Sequence, residues 1–224
     1  WQHILVFDRF CYGEVNRACE AFWCASGKVF NAAIAAHRLG GPSLAVAPVG
    51  GPIRRQIEDD LACTGAPYRL VETAAPTRVC TTLLDRESGS ITELVEDGRP
   101  LRPEELEAFS QLYAEEAARA DVAVLIGSLP AGTAPTYYRD LLMRTPCPAV
   151  LDFRGQALWE SLALRPLVAK PNRDELGQTV GRALRSADET LKAMAELVAC
   201  GARWVVVPHE AEPVLVASQD GAWE

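Results

Sequence analysis

Three polar clusters in this sequence each stand where a short apolar run ends. Gly127-Ser-Leu-Pro-Ala-Gly132 follows Val122–Ile126, Asp152-Phe-Arg-Gly155 closes Ala149–Asp152, and Lys170-Pro-Asn-Arg-Asp-Glu175 closes Leu167–Lys170. Ligands of open α/β sheets bind beyond the carboxyl ends of the strands, so polar residues at those places are the ones able to touch one. Singly, each cluster is ordinary loop chemistry. Three at successive strand ends read as one site. Asn172 and Glu175 are three apart, on one face of the helix that the Lys-Pro-Asn turn opens. Their oxygen atoms suit Mg²⁺ held through water, although an acid is also favoured at any helix N-terminus.

Two further groups lie earlier. Asp8 follows the apolar run Ile4–Phe7 and can accept hydrogen bonds from sugar hydroxyls, or serve simply as a turn residue. Ser26-Gly-Lys-Val-Phe-Asn31 leads into an alanine-rich helix. There Gly27 lets a ligand approach backbone N–H groups at a helix N-terminus, where the dipole favours polar or anionic groups. The segment is not a Walker A loop, because Val29 stands where that motif needs a hydroxyl. It also reads as a plain helix start.

These residues need a scaffold, and the chain supplies alternating short apolar runs and helical stretches, the signature of a parallel sheet with crossover helices. The expected strands are Ile4–Phe7, Leu44–Val49, Val122–Ile126, Ala149–Asp152, Leu167–Lys170 and Trp204–Val207. The expected helices are Lys28–Arg38, Ile53–Cys63, Pro103–Arg119, Pro135–Arg144 and Ala187–Cys200, the last opened by a capping box at Ser186–Glu189 and ended by Gly201. Phe10–Trp23 and Tyr68–Glu96 read as antiparallel β excursions, the second with a hairpin turn at Asp85–Ser90, and together they form a small lid. The expectation is one α/β domain over 1–224, a mostly parallel central sheet flanked by helices, with lid segments at about 10–23 and 68–96.

Composition narrows the function. With 49% hydrophobic and 23% charged residues in 224, the chain is of ordinary globular make-up. A net charge of −8 argues against nonspecific nucleic-acid binding. No apolar run is long enough to span a membrane. Seven cysteines without a C-x-x-C pair, beside three histidines, argue against a zinc site and suit a reducing cytoplasm. A dehydrogenase is poorly supported, since no G-x-G-x-x-G follows a strand.

The order and spacing of these pieces resemble the phosphofructokinase B family of carbohydrate kinases, of the ribokinase-like superfamily, nearest its tagatose-6-phosphate kinase and 1-phosphofructokinase branch. The resemblance runs through Asp8, Val15-Asn-Arg17, Gly27-Lys-Val-Phe-Asn31, Thr77-Arg-Val-Cys80, Thr92-Glu-Leu94, Gly127-Ser-Leu-Pro130, Asp152 and Lys170-Pro-Asn-x-x-Glu175. It implies transfer of the γ-phosphoryl group of ATP, with Mg²⁺, to a hydroxyl of a sugar or sugar phosphate. By that resemblance Asp8, Gly27, Lys28, Asn31, Arg78 and Ser128 bind the sugar substrate, with Arg78 on its phosphate. Lys170 and Asn172 meet the nucleotide, and Glu175 with Asn172 serves the metal. It also implies a cytoplasmic enzyme and homodimers formed through the β lid.

The departures from the family pattern are Val29, Arg54 after Gly50-Gly51, Ile126 before Gly127, and Pro208-His-Glu210. The family's Gly-x-Gly-Asp helix start, which carries the catalytic base, is expected beyond Glu224, and the chain is read as incomplete there and before Trp1. Val29 is expected to narrow the sugar site. The alternative is a relative that binds sugar phosphate and transfers nothing.

Overall fold

The computed structural model describes residues 1–209 and 212–224. Glu210 of the Pro208-His-Glu210 departure lies outside the described residues. The elements in chain order are β1 (Gln2–Phe7), β2 (Glu20–Cys24), α1 (Lys28–Arg38), β3 (Ala45–Gly50), α2 (Arg54–Thr64), β4 (Tyr68–Thr73), β5 (Cys80–Asp85), β6 (Ile91–Val95) and α3 (Pro103–Ala117). There follow β7 (Ala123–Ile126), α4 (Tyr137–Leu142), β8 (Ala149–Asp152), α5 (Gln156–Ser161), β9 (Val168–Ala169), α6 (Arg173–Val180), α7 (Ala187–Ala199), β10 (Trp204–His209), β11 (Glu212–Ser218) and β12 (Gly221–Trp223). They divide into two compact units: residues 1–109 with 130–132, and residues 110–129 with 133–224. None of the described helices is long and apolar enough to cross a membrane.

In the first unit β3 and β4 pair in parallel, joined by the crossover helix α2. Ala45, Ala47 and Val49 of β3 pack with Phe30 and Ala33 of α1 and with Ile57 and Leu61 of α2. Burying a large apolar side chain of this kind contributes roughly 1.5–3 kcal/mol. A four-stranded sheet in the order β2-β1-β5-β6 completes the unit, with β1 parallel to β5 and the outer strands antiparallel to their neighbours.

Two readings of this region are corrected. Tyr68–Glu96 is not one antiparallel excursion, because Tyr68–Thr73 runs parallel to β3. The eleven-residue helix α2 returns the chain to the start of β3, and Tyr68 and Leu70 then pack against the same apolar cluster. Phe10–Trp23 is strand only from Glu20 on. Before that the chain turns back on itself, with the Asn16 side chain bonded to both the N–H and the carbonyl of Cys11. The hairpin at Asp85–Ser90 joins β5 to β6 as expected.

The second unit holds a six-stranded sheet in the order β12-β11-β10-β9-β8-β7. β7, β8, β9 and β10 are parallel, and β11 and β12 fold back antiparallel at one edge. Leu141, Leu151, Leu158, Leu162, Leu176, Met194, Leu197 and Val205 are completely buried here. The expected strand at Leu167–Lys170 shortens to Val168–Ala169, and α4 occupies Tyr137–Leu142 rather than Pro135–Arg144. Helix α7 begins at the Ser186 cap, whose hydroxyl accepts from the N–H of Glu189. The α/β class and parallel order expected of the sheet are therefore present.

Candidate active site

Register places the three polar clusters of the second unit side by side. Ile126 pairs with Asp152 across β7 and β8, and Leu151 with Ala169 across β8 and β9, so the segments starting at Gly127, Asp152 and Lys170 leave one edge of a parallel sheet together. The backbone locks them in place. Gly127 N–H donates to the Asp152 carbonyl at 3.0 Å, and Lys170 N–H to the Leu151 carbonyl at 2.8 Å.

Side chains complete the arrangement. The Lys170 ammonium lies 2.9 Å from a carboxylate oxygen of Asp152. The Tyr138 hydroxyl donates to the Gly127 carbonyl at 3.1 Å, and the Tyr138 ring stacks on Phe153 with ring centres 4.0 Å apart. Burial pushes the Tyr138 phenol well above its ordinary range, so it stays a donor. Gly155 N–H donates to the Thr179 hydroxyl at 2.9 Å, tying the Asp152–Gly155 loop to α6. Ser128 is exposed beside them.

Asn172 and Glu175 form a reciprocal capping box at the start of α6. The Asn172 side-chain oxygen accepts from the Glu175 N–H at 2.8 Å, and Glu175 Oε2 accepts from the Asn172 N–H at 3.0 Å. Glu175 is buried. Its carboxylate therefore has a structural duty in addition to any toward a cation. Among the described residues no cluster of three or more His, Cys, Asp or Glu could form a metal cage. A donor set of this size suits Mg²⁺, which keeps several waters and takes one or two carboxylates alongside phosphate oxygens.

The first unit presents its own polar residues. Gly27 caps α1 with φ 112° and no side-chain cap, a backbone angle natural to glycine and strained for other residues. Asn31 sits one turn in, with its N–H bonded to the Gly27 carbonyl at 3.0 Å and its side-chain oxygen 3.4 Å from the Ser26 hydroxyl. Lys28 and Asn31 are exposed. Asp8 is also exposed and pairs with Arg86 at 3.3 Å. Val29 packs against the apolar cluster of β3 and α2, so its side chain has a core contact as well as a place in the loop.

Arg78 lines a cleft of about 200 Å³ together with Pro52, Thr77, Glu96, Asp97 and Arg99. The Gly50 N–H donates to the Thr77 hydroxyl at 3.0 Å, and the Thr77 N–H returns a bond to the Gly50 carbonyl at 2.9 Å. That clamp fixes the backbone just before Arg78. Arg54, unexpected after Gly50-Gly51, is held by Glu58 at 2.9 Å and by Glu72.

Sequence reading missed Tyr138, Thr179, Arg86 and Arg99. Thr179 had a local signal, four residues from Glu175 on one helix face. Tyr138 had none, since its partner is a backbone carbonyl eleven residues earlier.

A model of pfkB family carbohydrate kinases matches residues 2–224. A tagatose-6-phosphate kinase of Staphylococcus epidermidis is 30% identical over 206 residues, 89% of this chain and 66% of that protein. The chain thus spans just under two thirds of that relative's length. Phosphofructokinase-2 from Escherichia coli in complex with fructose-6-phosphate superposes with a TM-score of 0.87 at 26% identity, over 100% of this chain and 75% of that one. A Thermotoga maritima protein described as a possible 1-phosphofructokinase shares the fold, with a TM-score of 0.89 at 21% identity, over 99% of this chain and 72% of its own.

Proposed function

We propose that this chain, which belongs to the pfkB family of carbohydrate kinases, takes part in phosphoryl transfer from MgATP to a hydroxyl of a hexose phosphate. The observation that carries this reading is the row of strand-end loops in the second unit, where Lys170, Asp152 and the Asn172–Glu175 cap leave one sheet edge together. Similarity to a tagatose-6-phosphate kinase supports the substrate class.

In this reading Lys170 and Asn172 meet the nucleotide, and Glu175 with Asn172 faces Mg²⁺ through water. Asp8, Gly27, Lys28, Asn31 and Ser128 hold the sugar, and Arg78 holds its phosphate. Bound Mg²⁺ supplies charge neutralisation on the phosphate oxygens. Catalysis of this kind is mainly positioning and electrostatics, so fixed loops matter more than a reactive side chain. Within residues 1–224 the reading assigns no general base. It also places the protein in the cytoplasm and pairs two chains through the sheet β2-β1-β5-β6, which exposes Phe22, Trp23, Ile91, Leu94 and Val95.

The test is an assay of this chain with ATP and tagatose 6-phosphate, fructose 6-phosphate or fructose 1-phosphate, beside calorimetric titration of each. Turnover of any one supports the kinase reading. Saturable sugar-phosphate binding without turnover supports a binding role instead, and the absence of both turnover and binding sinks the proposal.

A further inference from the structure

A cleft of about 220 Å³ opens in the second unit among residues that include Leu142, Thr145, Cys147, Arg165, Leu167 and Arg203. It lies where β8, β9 and β10 begin. These strands are parallel, so the cleft is at the opposite end of the sheet from the Gly127, Asp152 and Lys170 loops. No residue given a role in phosphoryl transfer lines it.

Arg165 and Arg203 are the only charged residues in its wall. In a chain of net charge −8, a cleft with two cations and no carboxylate runs against the average surface. Both are set on constrained backbone. Arg165 has φ 55° and ψ 56°, the only described non-glycine with a positive φ, and its N–H donates to the Leu162 carbonyl at 2.9 Å. A residue with a Cβ adopts that conformation unfavourably, and such strain clusters at ligand clamps and switch regions. Gly201 is packed so closely that a Cβ there would meet the Leu162 carbonyl oxygen at 2.2 Å. The Arg203 N–H donates to the Pro166 carbonyl at 3.0 Å, which anchors the start of β10 beside the start of β9.

We propose that this cleft is a second ligand site, taking a small phosphate-bearing anion between the guanidinium groups of Arg165 and Arg203. Each guanidinium offers a planar fork of donors that meets two phosphate oxygens, which lysine does not reproduce. Fixed backbone beneath both side chains lowers the ordering cost of binding.

Inorganic phosphate is the probe, titrated into the ¹⁵N-labelled chain at constant ionic strength with chloride as the exchanged ion. The amides of Arg165, Leu167 and Arg203 are expected to shift saturably with phosphate and not with chloride. Arg203→Gln should weaken that binding about tenfold, as loss of a charge-assisted bond implies. Arg165→Gly removes the charge while suiting the left-handed backbone, so it should fold at least as well as the parent and bind as poorly as Arg203→Gln. Arg78→Ala should leave these shifts unchanged. Shifts that chloride reproduces, or that persist in Arg165→Gly and Arg203→Gln, overturn the proposal.

Discussion

The Lys170 ammonium and the Asp152 carboxylate lie 2.9 Å apart, yet only the lysine side chain is substantially wet, at 42% exposure against 8% for the aspartate. Breaking the pair from its two sides should therefore have unequal effects. Asp152→Asn leaves a lysine that can rehydrate, whereas Lys170→Met leaves a buried carboxylate without its cation. Lys170→Met should cost about 1–3 kcal/mol, below the figure for a fully buried pair because solvent screens this one, and Asp152→Asn should cost less. Urea unfolding of both variants measures the difference. The reverse order would mean that the other contacts of Asp152 dominate.

The capping box allows the structural role of Glu175 to be separated from the metal role proposed for it. Asn172→Ala removes the side-chain acceptor for the Glu175 N–H and should cost about 1 kcal/mol in thermal unfolding. Glu175→Gln keeps an oxygen able to reach the Asn172 N–H, so stability should barely change. The charge that the proposed metal role requires is nevertheless lost. ATP binding by Glu175→Gln should then require more Mg²⁺ for half-saturation, and an unaltered Mg²⁺ dependence would leave Glu175 as a cap alone.

A carboxylate away from the strand-end loops should contribute to the acid limb of stability, beside Asp85 and Glu196, whose carboxyls are also held low by hydrogen bonds. Glu105 accepts from the Ala74 N–H at 2.7 Å and from the Arg102 N–H at 2.8 Å, and these bonds, Ala74 first, hold its carboxyl below the ordinary glutamate value. A folded-state pKa below the unfolded one contributes stability that is fully present above the unfolded value. It is lost as pH falls through the folded one. Melting temperature should therefore drop from about pH 4.5 downward, and Glu105→Gln should flatten that drop while leaving the neutral-pH slope unchanged. An acid limb identical to the parent's would assign the loss to other groups.

The strand-end loops were legible in the sequence because each follows an apolar run directly, and the parallel order then follows from the intervening helices. Ser186 was legible for a similar local reason, as a polar residue that opens a helix with Glu three positions on, whereas Asn172, read as a helix-face residue, turned out to be the N-cap of α6. Tyr68–Thr73 was misread because its alternation suits either strand direction. Only packing with Ile57 and Leu61 of the preceding helix decides for β3. Arg165 was invisible, since it ends the short turn Leu162–Leu164 in a left-handed conformation that sequence alone assigns to glycine or asparagine. Tyr138 likewise acts on a carbonyl that carries no sequence signature. Local chemistry could be read from the chain; contacts that close over long separations could not.

In the proposed function Arg78 decides between a phosphorylated and a plain sugar. It sits in the cleft with Arg99, just after the reciprocal bonds between Thr77 and Gly50, so its backbone is fixed before any ligand arrives. One guanidinium nitrogen makes only a long 3.5 Å bond to the Glu96 carbonyl. The carboxylates of Glu96 and Asp97 share the cleft, and the Glu96 carboxylate is already bound by the Val79 N–H at 3.0 Å. A dianionic phosphate would thus compete for Arg78 against a weak carbonyl contact rather than a tight ion pair. Arg78→Ala should weaken hexose-phosphate binding by about 2–3 kcal/mol, the range for charge-assisted bonds. Arg78→Lys should recover part of that loss, because an ammonium keeps the charge without the planar fork. Arg99→Ala should lose less than Arg78→Ala, since the Thr77–Gly50 bonds lie directly before Arg78. ATP binding should stay constant throughout. Calorimetric titration of the three variants with tagatose 6-phosphate and with tagatose supplies the comparison. If Arg78→Ala binds the phosphorylated sugar as tightly as the parent, the cleft does not hold the phosphate; if the parent also binds tagatose as tightly as tagatose 6-phosphate, the phosphorylated substrate class falls too.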